Sequence, residues 1–255
     1  MTSLQDVFGL SGRVALVTGS SRGIGAAIAR GLAGAGATVI VHGQSEASTV
    51  ETRAAIERDG GRALALSGDL GARGAGSRLV DAAEDLAGHL DILVVNASAQ
   101  VNADLAHLTE EDLDLQLSVN LRSTVEMLQA CLPRMATRGW GRVVNIGSIN
   151  QLRPKAIVTA YAATKAAQHN IVQSQARDYA RHGVLLNTLA PGLVDTDRNA
   201  GRKQADPDGW EAYVRDLNWM GRAGDPSEMV GAAIFLASNA CSFMTGETVV
   251  LSGGY

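Results

Sequence analysis

Short apolar runs rich in Val, Ile, Leu and Ala recur along the chain, at 14–17, 38–41, 63–66, 92–95, 143–146, 184–189 and 248–251. Runs of this length and composition suit buried parallel strands. Between them lie stretches with helical spacing, at 23–33, 48–58, 78–86, 113–135, 161–181 and 227–238. Such alternation predicts parallel strands joined by right-handed helical crossovers. No linker, repeat or low-complexity tract interrupts it, so residues 1–255 are expected to form one doubly wound α/β domain. The least regular stretch, 193–225, is rich in Gly, Asp and Arg and carries Trp210, Trp219 and Met220. A connection that long predicts a lid over a site, with a plain surface excursion bearing a short helix as the alternative.

Composition narrows the class. Aromatic residues make up only 4% of the 255, so the core must be built from aliphatic side chains. Glycine is abundant at 29, above the usual share, which suits tight turns and close backbone approach. A net charge of −4 without like-charge runs argues against nucleic acid as a partner. No apolar stretch approaches the roughly 18 residues of a membrane span. Residues 1–10 lack a basic region followed by an apolar core, so no secretory signal is expected and the chain is assigned to the cytoplasm. Cys131 and Cys241 match no metal spacing, and the five histidines form no ligand cluster, so no metal is expected.

The chemistry begins at the end of the first strand, in Thr18-Gly19-Ser20-Ser21-Arg22-Gly23-Ile24-Gly25. A helix follows at once. Gly19, Gly23 and Gly25 allow a sharp turn and let a pyrophosphate approach the backbone, where it meets the positive end of the helix. In an open parallel sheet, ligands bind beyond the carboxyl ends of the strands. Polar residues gather there: Asp69 after the third strand, Asn96 ending the fourth, Ser148 after the fifth, and Pro191-Gly192 after the sixth. Tyr161 and Lys165 stand four apart and so share one helix face. A free phenol ionises near pH ~10, and a neighbouring ammonium lowers that value, which is what a neutral-pH acid/base requires.

Together these residues resemble the short, single-domain branch of the short-chain dehydrogenase/reductase family. The resemblance runs from Gly12 to Gly254 and rests on residues 18–25, Asp69, Asn96-Ala97, Asn120, Ser148, Tyr161 thirteen residues on, Lys165, Pro191-Gly192 and Thr196. It implies a seven-stranded Rossmann sheet and a nicotinamide cofactor. Ser21, Arg22, Ile24, Leu70 and Val194 join the motif residues on the cofactor. Asp69 would contact adenine, Asn96-Ala97 the nucleotide ribose, and Thr196 the nicotinamide carboxamide. Ser148 would bond the substrate oxygen and Tyr161 exchange its proton. Lys165 would hold the ribose, and Asn120 would position a water that relays the proton. Two positions depart from the family pattern. Val95-Asn96-Ala97-Ser98 stands for Asn-Asn-Ala-Gly, and Ser252 replaces an Asp.

After the second strand the chain reads Val41-His42-Gly43-Gln44-Ser45, with no acid until Glu46. A 2′-phosphate meets no carboxylate there and could contact Arg22 and Ser45, so NADP is preferred over NAD. The wall facing the nicotinamide should include Gln100, Asn102, Asn150, Gln151, Arg153, Arg198 and Arg202. That set favours a small polar alcohol or ketone of the sugar, polyol or hydroxy-acid type over a lipid. Two alternatives stay open: a 3-oxoacyl-carrier-protein reductase-like enzyme, and a catalytically silent nucleotide-binding sensor. The family resemblance further implies a homotetramer built on the 113–135 and 161–181 helices, with Ala162, Ala166, Ile171 and Val125 facing outward.

Overall fold

The computed structural model describes residues 3–254. A short helix, α1 (Leu4–Phe8), precedes a sheet of seven strands. These are β1 (Val14–Val17), β2 (Thr38–Gly43), β3 (Arg62–Ser67), β4 (Ile92–Val95), β5 (Gly141–Ile146), β6 (Val184–Pro191) and β7 (Thr248–Leu251). All pair in parallel in the order β3-β2-β1-β4-β5-β6-β7. The remaining helices are α2 (Gly23–Gly34), α3 (Glu46–Arg58), α4 (Ala75–Ala87), α5 (Glu110–Gln116), α6 (Ser123–Arg138), α7 (Thr159–Tyr179), α8 (Asp197–Ala205), α9 (Pro207–Leu217) and α10 (Val230–Ala237). This is the doubly wound Rossmann fold expected from the alternating pattern.

Successive strand residues feed opposite faces, as the pleat requires. Ala15, Val17, Val39 and Val94 pack under Ile28 and Leu32 of α2 and Ala233 and Leu236 of α10. Leu16, Ile40, Leu93 and Val143 pack under α4, α6 and α7 through Val80, Met127, Cys131 and Val172. Both layers are aliphatic, as the low aromatic content demanded. The strand order reverses direction between β1 and β4, which opens a crevice at the carboxyl edge.

Three expectations need correction. The helix expected over 113–135 is three pieces: α5, a π-helical turn (Leu117–Arg122), and α6. The wide turn pushes Asn120 inward, and such bulges frequently mark functional sites. The stretch 193–225, for which only the alternative reading had a helix, and a single short one, holds two, α8 and α9. Asp206 starts the second by accepting from the Gly209 N–H, with Pro207 in the first turn, a start signal present in the sequence. The expected 227–238 helix begins as a 3₁₀ turn (Pro226–Met229) before α10. The opening helix α1 was not expected, although Ser3 and Asp6 form its capping box.

His42 at the end of β2 secures the glycine turn. Its Nδ1 accepts from the Gly19 N–H at 3.2 Å, and its Nε2 faces the Gly68 carbonyl at 3.2 Å. That tautomer satisfies both neighbours only when neutral, and burial pushes the imidazole pKa down to about 4. The unfolded chain therefore takes up a proton from about pH 6.5 downward, while the folded one resists until about 4. The contribution is fully present above pH 6.5 and is lost as pH falls across that window, by up to about 3 kcal/mol. His42→Gln should flatten this acid limb in urea unfolding at pH 7, 5.5 and 4. An unchanged pH dependence would remove His42 from the account.

Candidate active site

The glycine turn lies between β1 and α2. Gly19 (φ +62) and Gly23 (φ +56) adopt backbone that side chains avoid, and a Cβ on Gly19 would sit 2.9 Å from Ala97 Cα. Arg22 occupies the cap position of α2 without capping it, so the helix's first N–H groups remain available to an anion. The turn is braced from β4. Thr18 Oγ1 accepts from the N–H groups of Asn96 (2.9 Å) and Ala97 (3.1 Å). The Asn96 amide donates to the carbonyls of Thr18 (2.8 Å) and Gly19 (3.0 Å). Asn96 thus shapes the turn with its side chain while lining the cleft.

A cleft of about 930 Å³ runs from this turn to the end of β5, roomy enough for a dinucleotide and a small molecule beside it. Gly19, Ser21, Arg22, Gly23, Ile24 and Gly25 line one end, with Asp69, Leu70, Asn96 and Ala97 beside them. Pro191, Gly192, Val194 and Thr196 close the opposite wall. The uncapped amides and the glycine cradle fit the phosphates of a nicotinamide dinucleotide. Ser45 lies off this wall, because it caps α3 by exchanging bonds with Ser48. Gln44, Ser48 and Glu51 line the cleft instead. Arg22 stands 3.8 Å from Asp197 across the mouth, and both are largely exposed, so the pair is weak.

The reactive group assembles beyond β5. Ser148 and Tyr161 are 7% and 6% exposed, so neither phenol nor hydroxyl is freely solvated. Burial raises the Tyr161 pKa above the ordinary phenol range; the Arg198 charge and contacts with Ser148 and Arg198 oppose that rise. Lys165, one helical turn on, is fully buried and donates to the Ile146 carbonyl at 2.7 Å. Burial, with the Arg198 charge added, pushes its pKa down to about 7.

Asn120 is buried beside this group. Its Nδ2 donates to Ala99 O and Thr164 Oγ1, both at 2.9 Å, and its Oδ1 accepts from Ala99 N–H at 2.8 Å. The carbonyl accepts from Gln168 (2.6 Å) and Thr124 (2.6 Å). Its side-chain donors and acceptor are thereby engaged by protein, so the geometry gives it a bracing role between the post-β4 loop and α7.

At the far end, Gln100, Asn102, Asn150, Arg198 and Arg202 line the cleft as expected. Gln151 and Arg153 do not. The Gln151 carbonyl oxygen is drawn back to the Ser148 N–H (3.1 Å) by the cap of the 3₁₀ turn, and Arg153 is exposed off the wall. Lys155 and Tyr213, absent from the sequence-based set, meet there at 2.9 Å. Lys155 is one of three lysines in the chain, which was the available signal. The departures from the family pattern also have structural accounts. Val95 is 1% exposed within the aliphatic layer under α4, α6 and α7, Ser98 receives Arg198, and Ser252 packs against Gly192, whose Cβ would meet its Cα at 2.7 Å.

A family model described as enoyl-(acyl carrier protein) reductase matches residues 19–255. The chain is 37% identical to gluconate 5-dehydrogenase of Gluconobacter oxydans (strain 621H), over 98% of this chain and 96% of that one. Among solved structures, a 3-oxoacyl (acyl-carrier-protein) reductase of Agrobacterium tumefaciens C58 with NADP bound superposes with a TM-score of 0.98 at 68% identity, covering 99% of this chain and 98% of that one. A gluconate 5-dehydrogenase of Burkholderia cenocepacia J2315, in complex with NADP and tartrate, gives 0.91 at 35% identity, covering 98% of each chain. With a complete glycine turn and the Ser148, Tyr161 and Lys165 group in one cleft, the chain belongs to the short-chain dehydrogenase/reductase family and is an NAD(P)-dependent oxidoreductase.

Proposed function

We propose that this chain interconverts a small polar alcohol and its ketone, of the sugar, polyol or hydroxy-acid type, with Tyr161 moving the proton at the substrate oxygen. The observation that carries this is the contact of the buried Tyr161 phenol with Ser148, one turn from Lys165, in the cleft that begins at the glycine turn. Ser148 donates a hydrogen bond to the substrate oxygen and fixes it against the phenol. The bound nicotinamide supplies the hydride donor or acceptor. Lys165 would hold the nicotinamide ribose, and its charge favours phenolate. Asn120, bonded to Thr164 and Ala99, keeps α7 and the post-β4 loop at a fixed separation. Gly19, Ser21–Gly25 of the turn, Asp69, Leu70, Ala97, Gly192, Val194 and Thr196 would hold the rest of the cofactor. Helices α8 and α9, within 193–225, form the lid.

The polar lining of the far end supports the substrate class, as do the gluconate 5-dehydrogenase relatives. A second reading, reduction of 3-oxoacyl thioesters, draws support from the 68% identical structure. A kcat/KM panel separates them. Polyols and sugar acids should exceed acetoacetyl thioesters, and a hundredfold preference for the thioesters reverses the assignment. Tyr161→Phe keeps the packing but removes the proton, so turnover should fall by at least about 10²-fold with cofactor affinity nearly intact. Retention of a tenth of the activity would refute the role of Tyr161.

Lys165 gives an independent readout. With a pKa near 7, it is largely neutral at pH 8 in the cofactor-free protein. Nearby phosphates favour ammonium, so NADP binding at pH 8 should take up close to one proton. Calorimetry in two buffers of different ionisation enthalpy measures this, and Lys165→Met should abolish it. Equal proton release or uptake in the variant would show that Lys165 does not titrate on binding.

The assembly proposed is a homotetramer in the cytoplasm, where the two buried, unpaired thiols of Cys131 and Cys241 fit a reducing environment. Ala162 turns inward, contrary to the sequence-based assignment, and Ile171 and Val125 are half-buried. Ala166 is exposed, together with Ala163 and with Leu113, Leu115 and Leu117 on α5 and the π-helical turn. These supply the apolar face. Light scattering at micromolar concentration should report a tetramer; a stable monomer would refute it.

A further inference from the structure

Within the proposed reading of a small polar substrate, the geometry points to a hydroxy acid whose carboxylate, one or two carbons from the reacting carbinol, is held by Arg198. Arg198 rises from the first turn of α8 and reaches across the cleft to the loop after β4. Its guanidinium donates to Gln100 Oε1 (3.1 Å), Ser98 O (3.1 Å) and Ser98 Oγ (3.0 Å). These three acceptors are neutral, a fourth contact is to the Tyr161 phenol, and among the described residues no carboxylate pairs with Arg198. The anchored cation stands beside the Tyr161 phenol, at the reacting centre.

Two further cations stand at this end. Lys155 is tied to the Tyr213 hydroxyl, and Arg202 lies 3.9 Å from the centroid of the same ring. Of the nearby acids, Asp195 is paired with Lys203 (2.7 Å), and Asp197 stands 3.8 Å from Arg22 in a weak, exposed pair at the mouth. A cation held by neutral dipoles still gains from an anion that accepts one of its remaining N–H groups, as a charge-assisted bond. A further acceptor points to hydroxyls on the same ligand. Among the described residues Asn150 Oδ1 is buried without a partner, while its Nδ2 is spent on Ser148 Oγ at 3.2 Å. An orphaned buried acceptor calls for a donor, which an alcohol beside the carboxylate supplies.

Position sets the register of that ligand. Arg198 is held at Ser98 and Gln100, beside the Tyr161 phenol, whereas Arg202, one turn further along α8, is the cation that a longer acid would meet. With the carboxylate on Arg198, the carbinol falls between Ser148 and Tyr161. Its C–H then leaves as hydride to the oxidised nicotinamide and its O–H proton passes to Tyr161, giving the oxo acid and the reduced cofactor. Ser98, the departure from the family's glycine, is the residue that supplies two of the three anchors.

The test compares glycerate and 3-hydroxybutyrate with gluconate and with glycerol and 1,3-butanediol, using NADP and wild-type, Arg198→Met, Arg198→Lys and Arg202→Met proteins. Short acids should be preferred by the wild type. Arg198→Met should lower the acid-to-diol ratio of kcat/KM by about a hundredfold, through KM, and Arg198→Lys should restore part of it. Equilibrium binding of the same acids to the Tyr161→Phe protein loaded with NADP gives a readout apart from turnover and should weaken in step when Arg198→Met is added. An equal loss on acids and diols would place Arg198 on Tyr161 rather than on substrate and overturn the proposal. Loss of acid preference in Arg202→Met alone, or a preference for gluconate, would overturn it while leaving the polar-substrate reading intact. A wild type that prefers acetoacetyl thioesters would overturn both.

Discussion

The site depends on an ammonium group taken out of water. Lys165 is among the largest fully buried side chains, and its Nζ donates to the carbonyl of Ile146, the last residue of β5. Burying a cation is costly unless its surroundings are polar and fixed, and the price is visible in a pKa near 7. The neighbouring architecture accommodates it. The carbonyl edge of β5 points toward α7, Tyr161 lies one turn before, and the space above remains open as the cleft. A lysine in this position is a poor structural residue, which is what the proposed role toward the cofactor ribose and the phenol would account for. The same burial that lowers the Lys165 pKa raises that of Tyr161, so two groups one helical turn apart are drawn toward each other in pKa.

A second constraint is separation. α7 must stand at a set distance from the post-β4 loop, because Tyr161 comes from one and the cofactor wall from the other. The polar side chains of the π-helical turn and its neighbours set that distance: Asn120 spans Ala99 and Thr164, while Gln168 bonds the Asn120 carbonyl and Thr124. Buried polar networks of this kind specify geometry strongly when their bonds are made. The turn's extra width is what lets Asn120 point inward between two otherwise regular helices, and an unbroken helix over the same residues would rotate it away.

Much of this was legible in the chain. The strands show as aliphatic runs because both faces of a parallel sheet are buried, and the glycine turn shows because few residues tolerate its backbone. Tyr161 and Lys165 show because four residues make one helical turn. Side-chain direction in short turns was not legible. Gln151 and Ser45 belong by sequence to the cleft wall, yet each is recruited by a local cap, Gln151 to the Ser148 N–H and Ser45 to Ser48. Caps compete with ligands for the same polar atoms, and sequence spacing alone does not say which wins. The π-helical turn was equally hidden, since its apolar spacing is indistinguishable from that of the helices on either side. Lys155 and Tyr213 meet only because α9 folds back over the site.

The irregular stretch after β6 illustrates how charge can be placed without cost to the fold. Neither α8 nor α1 contributes a buried residue, so α8 carries almost none of the core, whereas α9 anchors the segment through Trp210 and Val214. A helix free of packing duty can present cations to the cleft at four-residue spacing, as Arg198 and Arg202 do. On a core helix the same arginines would each have to be desolvated and paired. Here the solvent-facing side keeps the desolvation small until a ligand arrives, and α9 keeps the geometry. If the proposed role of Arg198 holds, specificity is carried by a helix that contributes no buried residue, and such an element is the freest to vary without loss of stability.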